Sequence, residues 1–475
     1  MDIPTDCPQR EREGWLGDAQ LAFETIQHNF AGGAFYTKWV RDLADVQVWN
    51  NRTRGADDAM PDTCPFYSSS TQELEADPGW GIAAWVVPTE FASYYDDDRL
   101  EREFYPHQKA YLEHWIRLAQ NNSGELPPTL QHSGDWGCLQ PGPKDCAPTE
   151  YSHFFFVRAL MLQLQVASRL GFDADIERYT GLLQAARELY RSKYFHAETG
   201  CFGNCTDISQ ILGLTLELLT GEQESAAWRQ AMAWFGPGGR YAGRFGGGIV
   251  SLKLLYPLLD KFNESGLGLS FQLHTDKPPS FGYWMSQQAT TLFEFWSNSE
   301  YTFDGGLNSF NHIMCKSSRS LASSFDSRSV CTDGGTGSWY YSTLAGLKRA
   351  PGSRSWSDVI LAPPAPGSLD GLLTWANASI DTPMGRVSSA WSTAESAYSL
   401  HVAVPPNARA RVVVPVAPSF TITESDAVVW AGGQFAASEA VGGITRATAG
   451  ADGRSVAFEV GSGDFAFNAA KRRSL

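Results

Sequence analysis

The sequence lacks long apolar runs, an excess of basic residues and any cysteine spacing typical of a metal site. No run of about 18 apolar residues occurs, so no transmembrane helix or membrane partner is predicted. The start, "MDIPTDCPQR", lacks the basic and apolar regions of a signal peptide. The formal net charge is −15 without a basic stripe, which argues against nucleic acid as a partner. No CxxC pair or cysteine–histidine spacing indicates zinc, so we expect no metal and no cofactor.

Aromatic residues, in contrast, are abundant. They make up 13% of the 475 residues and include 16 Trp. Such rings either fill a large core or stack on sugars, and composition leaves both readings open. The length and the 43% hydrophobic content suit a globular protein with one large domain or several smaller ones. Nothing in the composition assigns an oligomeric state.

Cysteine pairs and glycosylation sequons favour the secretory route over a reduced, cytosolic protein. Three pairs are close in sequence: Cys138 with Cys146, Cys201 with Cys205, and Cys315 with Cys331. Closing the last pair would remove about 3 kcal/mol of loop-closure entropy from the unfolded state. Cys7 is expected to be a small buried thiol. The N-x-Ser/Thr sequons lie at Asn51, Asn121, Asn204, Asn263 and Asn377.

Helical periodicity dominates from about residue 19 to 350. In "DAQLAFETIQHNF", Ala22, Phe23, Ile26 and Phe30 form one stripe of a helix, and Asp18 is a candidate N-cap. About eleven such stretches, including "SQQATTLFEFWS" and "SWYYSTLAGLKRA", are separated by Gly, Pro, Asn and Asp. This pattern predicts antiparallel helix pairs that close into a ring. A superhelical solenoid is the alternative, but no fixed repeat period supports it.

After about residue 355 the hydrophobic period becomes two. In "YSLHVAV", Tyr398, Leu400, Val402 and Val404 alternate with polar or small residues. "RVVVPVA" and "GDFAFNA" show the same alternation, with turn signals between the strands. We therefore predict a mainly α protein that consists of a helical domain over residues 1–352 and a small β-sandwich over residues 353–475.

Three acidic segments suggest carbohydrate chemistry, since glycoside hydrolysis needs one protonated and one ionised carboxyl group. "DCPQREREGWLGD" surrounds Trp15 with carboxylates, although acids before a helix are more often caps. "SGDWGC" places Asp135 beside Trp136. "ATTLFEFWS" puts Glu294 among apolar residues, where an acid needs a raised pKa or a dedicated partner. The alternative for Glu294 is a solvent-facing position on a helix, and for His312 in "SFNH" a structural loop histidine.

Together these segments resemble the α-L-rhamnosidases of glycoside hydrolase family 78. The matching segments follow in the family's order along nearly the whole chain: "IPTDCPQREREGWLGDAQ", "PGWGIAAWVVP", "SGDWG", "GGIVSLKLLYPLL", "ATTLFEFWS", "SFNH" and "SWYYSTLAGL". The resemblance extends into "VILAPPAPGSLDGLLTWANASIDTPMGRVSSAW". It implies an (α/α)6 toroid of six helical hairpins and an inverting exo-α-L-rhamnosidase that acts on rhamnose-containing glycosides or polysaccharides.

The resemblance also implies a role for each matching residue. Glu11 matches the general acid and Glu294 the general base. Glu13 stands where the family usually has an apolar residue, so we expect no catalytic role for it. The positions that match substrate-binding residues are Asp6, Trp15, Asp18, Trp80, Asp135, Trp136 and His312. An apolar wall for the sugar's methyl group and acids for its hydroxyls suit a 6-deoxy sugar.

Two departures from the family pattern stand out. The family carries β domains and one helix before the signature, so we expect the first helix of the toroid to be missing from this chain. An insertion over 315–337 is Ser-rich, and Ser338 stands where the family usually has a Glu. This insertion is expected either to alter what binds beyond rhamnose or to be a disordered loop.

Two alternative functions stay open. Another toroid hydrolase, for example one acting on uronic acid sugars, would need an Arg or Lys in the pocket to meet the substrate's carboxylate. A non-catalytic carbohydrate-binding remnant would bind rhamnose without turnover.

Overall fold

The computed structural model describes most of the chain, and the following account is confined to those residues. They are 3–6, 12–66, 75–139, 146–289, 292–294, 296, 336–394, 397–436 and 442–470. The chain divides into two compact units. The first contains Met1–Ala92, Asp97–Leu258 and Ser270–Thr336; the second contains Ser93–Asp96, Leu259–Leu269 and Gly337–Leu475.

Helices make up most of the first unit, with a few in or extending into the second. They are α1 (Leu16–Asn29), α2 (Gly33–Arg54), α3 (Pro78–Gly81), α4 (Ala83–Tyr95), α5 (Arg99–Asn121), α6 (Tyr151–Leu170), α7 (Asp173–Tyr194), α8 (Asp207–Thr215), α9 (Gly221–Phe235), α10 (Ile249–Lys261), α11 (Ser265–Leu273), α12 (Phe281–Ser286) and α13 (Thr336–Trp339). A 3₁₀ turn spans Pro128–Leu130, and a π-helical turn over Tyr340–Leu344 follows α13. None of the helices in these ranges is long and apolar enough to cross a membrane.

Local sequence signals explain several helix ends. α2 and α6 end at Gly55 and Gly171, whose φ angles of 68° and 77° lie in the left-handed region that favours glycine. Thr206 caps α8 by accepting a hydrogen bond from the backbone N–H of Ser209. Asp77 caps α3 in the same way, with Pro78 at the first helical position.

Aromatic and amide side chains connect neighbouring helices of the first unit. The ring of Trp85 in α4 stacks on Tyr111 in α5, with centroids 5.2 Å apart. Its indole Nε1 donates to Oε1 of Gln163 in α6 at 2.7 Å, so a buried polar group is satisfied within the core. α6 packs against α7 through His153, whose Nε2 is 3.0 Å from the carbonyl oxygen of Ala186. Much of the aromatic content therefore belongs to the core.

Strands form a small hairpin in the first unit and two sheets in the second. The hairpin pairs β1 (Phe195–His196) with β2 (Cys201–Phe202). The later strands are β3 (Leu347–Arg349), β4 (Asp358–Leu361), β5 (Trp375–Thr382), β6 (Gly385–Ala394), β7 (Ala397–Val404), β8 (Arg409–Val414), β9 (Thr421–Glu424), β10 (Ala427–Ala431), β11 (Gln434–Phe435), β12 (Ile444–Ala449), β13 (Val456–Val460) and β14 (Gly463–Ala470).

The two sheets of the second unit form a sandwich. One has the strand order β11-β10-β9-β14-β7-β6-β5 and the other β12-β13-β8-β4-β3. All neighbouring strands are antiparallel except β4 and β8. Phe458 of β13 and Phe467 of β14 pack across the two sheets with ring centroids 4.8 Å apart. The predicted alternation in β7 is confirmed, because Tyr398, Leu400 and the two following valines on that face are buried.

Two helix predictions are wrong, one throughout the residues that the structure describes and one at its C-terminal end. The helix expected over "SQQATTLFEFWS" is not formed: α12 ends at Ser286, and the described residues among 287–296 are turn or irregular chain. The helix expected over "SWYYSTLAGLKRA" ends at Leu344, and β3 follows. α11 and the hairpin β1–β2 were not predicted.

Candidate active site

The segment before α1 is held by short-range pairing. Asp6 is fully buried and exchanges two hydrogen bonds with Glu13: its backbone N–H donates to the Glu13 carbonyl, and its Oδ1 accepts from the Glu13 N–H, both at 3.1 Å. These contacts join the residues that flank Glu11 in the sequence. Glu11 itself lies outside the described residues, so its role as general acid stays a prediction.

Trp15, Asp18 and Trp80 lie close together around the first turn of α1. Trp15 immediately precedes α1 and pairs with Thr63 in an isolated antiparallel bridge. Asp18 is in the first turn and is 3% exposed. Gly17 lies against the indole of Trp80, where a Cβ atom would be only 2.6 Å from the ring. Gly17 therefore allows α1 and α3 to approach closely.

A buried acid, Asp77, joins the Trp80 segment to the loop that carries Asp135 and Trp136. Its carboxylate accepts hydrogen bonds from the backbone N–H groups of Gly79, Ser133 and Gly134 at 2.8, 2.9 and 3.0 Å. Burial raises the pKa of Asp77 to about 6, although these hydrogen bonds oppose the shift.

Asp62 extends this connection to α1. Its Oδ1 accepts from the Asp77 N–H at 3.0 Å, its Oδ2 is 2.8 Å from His132 Nε2, and its carbonyl oxygen accepts from the Leu16 N–H at 2.8 Å. Sequence reasoning missed Asp62, Asp77 and His132. The Asp-Pro pair at 77 and 78 is typical of a helix N-terminus, so the cap could have been predicted. The contact of Asp62 with His132 joins residues 70 apart, and no local pattern indicates it.

Asp135 is fully buried, and its carboxylate caps α10. It accepts from the backbone N–H groups of Gly248, Val250 and Ser251 at 2.8–2.9 Å and from the Ser251 hydroxyl. Burial raises its pKa against these hydrogen bonds. A Cβ atom at Gly248 would lie 2.2 Å from the Trp136 carbonyl oxygen, so only glycine fits there. Asp135 thus fixes the loop on which Trp136 stands.

Trp136 and Glu294 are brought together from positions 158 residues apart. The Trp136 indole Nε1 donates to Glu294 Oε1 at 3.2 Å, and Glu294 is only 6% exposed. The buried acid therefore has the dedicated partner that its apolar surroundings require, and the solvent-facing helical alternative is wrong.

An aromatic cluster holds the segment around Glu294. Trp296 stacks on Trp284 with ring centroids 4.8 Å apart, and its Nε1 donates to the Gly247 carbonyl oxygen at 3.0 Å. Trp284 Nε1 in turn donates to the Trp296 carbonyl oxygen at 3.2 Å. Because Gly247 precedes the glycine bound by Asp135, Glu294 is anchored to the same N-terminus of α10 as Trp136.

A disulfide closes the loop after Trp136. Cys138 and Cys146 are bonded with Cα atoms 6.0 Å apart, and the Cys146 carbonyl oxygen accepts from the Asp135 N–H at 3.1 Å. Cys201 and Cys205 form a second disulfide, so two of the predicted pairs are confirmed.

Cys7, Cys315 and Cys331 lie outside the described residues, as does His312. Within the described ranges no group of His, Cys, Asp or Glu side chains could hold a metal ion.

The helical unit and the β-sandwich correspond to a six-hairpin glycosidase domain followed by a β domain. Residues 1–319 match the model of the bacterial alpha-L-rhamnosidase 6 hairpin glycosidase domain, and residues 346–428 match that of the bacterial alpha-L-rhamnosidase C-terminal domain. The chain belongs to this α-L-rhamnosidase family of glycoside hydrolases, as the sequence motifs indicated.

Individual relatives agree with this assignment. An alpha-L-rhamnosidase of Streptomyces avermitilis is 28% identical over 98% of this chain and 39% of its own length. The solved structure of that organism's alpha-L-rhamnosidase complexed with L-rhamnose has a TM-score of 0.77 at 25% identity, covering 98% of this chain and 39% of the other. The alpha-L-rhamnosidase structure from Dictyoglumus thermophilum has a TM-score of 0.79 at 25% identity, covering 99% and 47%. The chain thus spans about two-fifths of the length of the curated relative.

Proposed function

We propose that this chain is the catalytic part of an inverting exo-α-L-rhamnosidase that releases terminal rhamnose from glycosides or polysaccharides. The contact between Trp136 and Glu294 carries the proposal, since it fixes a buried carboxylate at the end of a loop whose motif matches the family. The family membership of residues 1–319 and the similarity to the alpha-L-rhamnosidase of Streptomyces avermitilis support it.

In this mechanism Glu294 is the general base. It accepts a proton from the water that attacks the anomeric carbon, and the indole N–H of Trp136 orients its carboxylate for that task. Glu11 is the general acid that protonates the leaving oxygen. An inverting enzyme keeps its two carboxyl groups roughly 6.5–9.5 Å apart to leave room for the water, and we expect this separation between Glu11 and Glu294.

The other matched residues divide into those that contact the sugar and those that position the loops. The rings of Trp15, Trp80 and Trp136 line the apolar face of the sugar, while Asp18 and His312 bind hydroxyl groups. Asp6 and Asp135 have hydrogen bonds to the chain itself, so we assign them to positioning the loops that carry Glu11 and Trp136. We assign residues 1–352 to the catalytic domain and residues 353–475 to the β domain, with β3 (Leu347–Arg349), which pairs with β4, lying just before this boundary.

A panel of aryl glycosides tests the proposal. The chain should hydrolyse the α-L-rhamnoside and leave uronides and other 6-deoxy sugars largely intact. Glu294→Gln and Glu11→Gln should each lower kcat by a factor on the order of 10²–10⁴. Glu13→Gln is the matched control next to Glu11 and should keep kcat. Rhamnose binding without turnover would identify a carbohydrate-binding remnant, and turnover of a uronide another hydrolase; either result contradicts the proposal.

A further inference from the structure

Strand β5 presents an exposed tryptophan and an N-glycosylation sequon on the same face. The exposed fraction of Trp375 is 63%, which is unusual for so large an apolar side chain. Asn377 and Ser379 follow at intervals of two residues and are also exposed, whereas the residues between them are partly buried. Because side chains alternate along a strand, Trp375, Asn377 and Ser379 stand in a row on one face.

The surroundings of Asn377 leave room for a bulky group. Among the strands that the structure describes, β5 is an edge strand of the seven-stranded sheet and pairs with β6 alone. Opposite the row stand small residues of β6: Ser392 faces Trp375, Ala390 faces Asn377, and Ser388 faces Ser379. Among the described residues the side chains of Trp375 and Asn377 have no hydrogen-bond or ring partner beyond the backbone pairing of β5 with β6.

We propose that Asn377 carries an N-linked glycan whose first sugar packs on the indole of Trp375. Consecutive residues on one face of a strand are about 7 Å apart, so a sugar attached to Asn377 begins beside the exposed ring. The C–H face of a pyranose covers an aromatic ring without leaving polar groups unpaired. The glycan would also shield an edge strand from pairing with other chains.

The chemistry of the attachment is a group transfer in an oxidising secretory compartment, which the two disulfides favour. The donor is an oligosaccharide linked to a lipid diphosphate. The Asn377 side-chain nitrogen forms a bond to the anomeric carbon of the first N-acetylglucosamine and loses a proton. The bond from that carbon to the diphosphate oxygen breaks, and the lipid diphosphate leaves.

The sequon at Asn51 provides an internal comparison. Trp49 also stands two residues before it, but both lie in α2, where residues two apart face different directions. The side chain of Asn51 is occupied in the folded protein: its Nδ2 donates to Asp58 Oδ1, and its Oδ1 accepts from the Asp58 N–H at 2.6 Å. We therefore expect no glycan on Asn51 in the folded chain.

Peptide mapping tests the modification directly. The 475-residue chain is secreted from a eukaryotic host and treated with peptide N-glycosidase in heavy-oxygen water, which converts each glycosylated Asn into labelled Asp. We expect label at Asn377, none at Asn51, and loss of the Asn377 label in Ser379→Ala, which leaves Trp375 and Asn377 in place. An unlabelled Asn377 in the secreted wild type overturns the proposal.

Hydroxyl-radical footprinting tests the packing of the sugar on the ring. The oxidation rate of Trp375 should be several-fold lower in the glycosylated wild type than in Ser379→Ala or Asn377→Gln. The rate at Trp49, itself 41% exposed, should be the same in all three proteins. Equal oxidation of Trp375 with and without the glycan refutes the contact between sugar and ring.

Discussion

The indole N–H of Trp136 donates a hydrogen bond to Glu294 Oε1. Trp136→Phe keeps an aromatic ring for the sugar but removes the hydrogen bond to Glu294. A hydrogen bond to a charged group contributes about 1.5–3 kcal/mol, so we expect kcat for an aryl rhamnoside to fall by about 10–100-fold. Trp234→Phe is the matched control, because its indole donates to the Cys205 carbonyl oxygen at 2.8 Å. Its kcat should stay at the wild-type value, and an equal loss in both variants contradicts the assigned role of Trp136.

Asp207 and Asp173 are each the first residue of a helix, α8 and α7, but only Asp207 is buried. Burial raises the pKa of Asp207 to about 7; the hydrogen bond from the Ile208 N–H opposes this shift and the charge of Asp135 adds to it. Oδ2 of Asp207 has no hydrogen-bond partner among the described residues. Its ionised form is therefore costly in the folded chain.

Asp207→Asn should remove a pH-dependent loss of stability. The folded-state pKa lies above the ordinary value of 3.8, so the protonated acid stabilises the fold below about pH 4. That contribution is lost as the pH rises through 7, and three pKa units correspond to roughly 4 kcal/mol. In denaturant titrations from pH 4 to 8, the unfolding free energy of the wild type should fall relative to Asp207→Asn by about this amount. Asp173→Asn should match the wild type throughout, and parallel pH profiles for wild type and Asp207→Asn refute the assignment.

At the scale of structural elements, the segment that carries Asp135 and Trp136 joins several parts of the candidate site. Asp77 holds its first part, Asp135 attaches it to α10, and the disulfide between Cys138 and Cys146 closes it. None of these contacts involves the ring of Trp136 directly. The position of Trp136 therefore depends on Asp77 and on the N-terminus of α10, both distant from it in the sequence, and on the neighbouring disulfide.

Replacing both Cys138 and Cys146 by Ala should cost about 2.5 kcal/mol of unfolding free energy on the chain-entropy model for a sequence separation of 8. kcat for the aryl rhamnoside should also fall, because the disulfide no longer restrains the segment that carries Asp135 and Trp136. The double Ala variant of Cys201 and Cys205, with a separation of 4, should lose about 2 kcal/mol but keep kcat. Unchanged kcat in the first variant would show that the disulfide serves stability alone.

At the scale of the whole molecule, features set by local patterns were predictable and features set by long-range contacts were not. The alternation of β7 is local and appears as expected. In α1, Ala22, Phe23 and Ile26 are buried as the stripe predicted, but Phe30 follows the end of the helix and is exposed, and Asp18 lies in the first turn instead of at the N-cap. The apolar residues around Glu294 suggested a helix, but Trp296 instead belongs to an aromatic cluster with Trp284. The cap that Asp135 provides for α10 joins residues 113 apart, and no local signal marks it.

The site was predictable only through the ordered motifs of the family. The residue types in "SGDWG" and "ATTLFEFWS" suggested sugar chemistry, yet spacing alone could not pair Trp136 with Glu294. The motifs assigned both segments to one pocket, and the structure brings these two side chains into contact. The catalytic roles of Glu11 and Glu294 and the substrate-binding roles of the other matched residues, including His312, stay predictions.

In the proposed mechanism Glu294 activates a water molecule while Glu11 protonates the leaving oxygen. Proton NMR of the first-formed sugar, recorded during hydrolysis of an aryl α-L-rhamnoside before mutarotation equilibrates the product, tests it most directly. Attack by water on the face opposite the aglycone predicts β-L-rhamnose as the initial product. Initial release of α-L-rhamnose would contradict the inverting mechanism, because retention requires a covalent intermediate and carboxyl groups only about 5 Å apart.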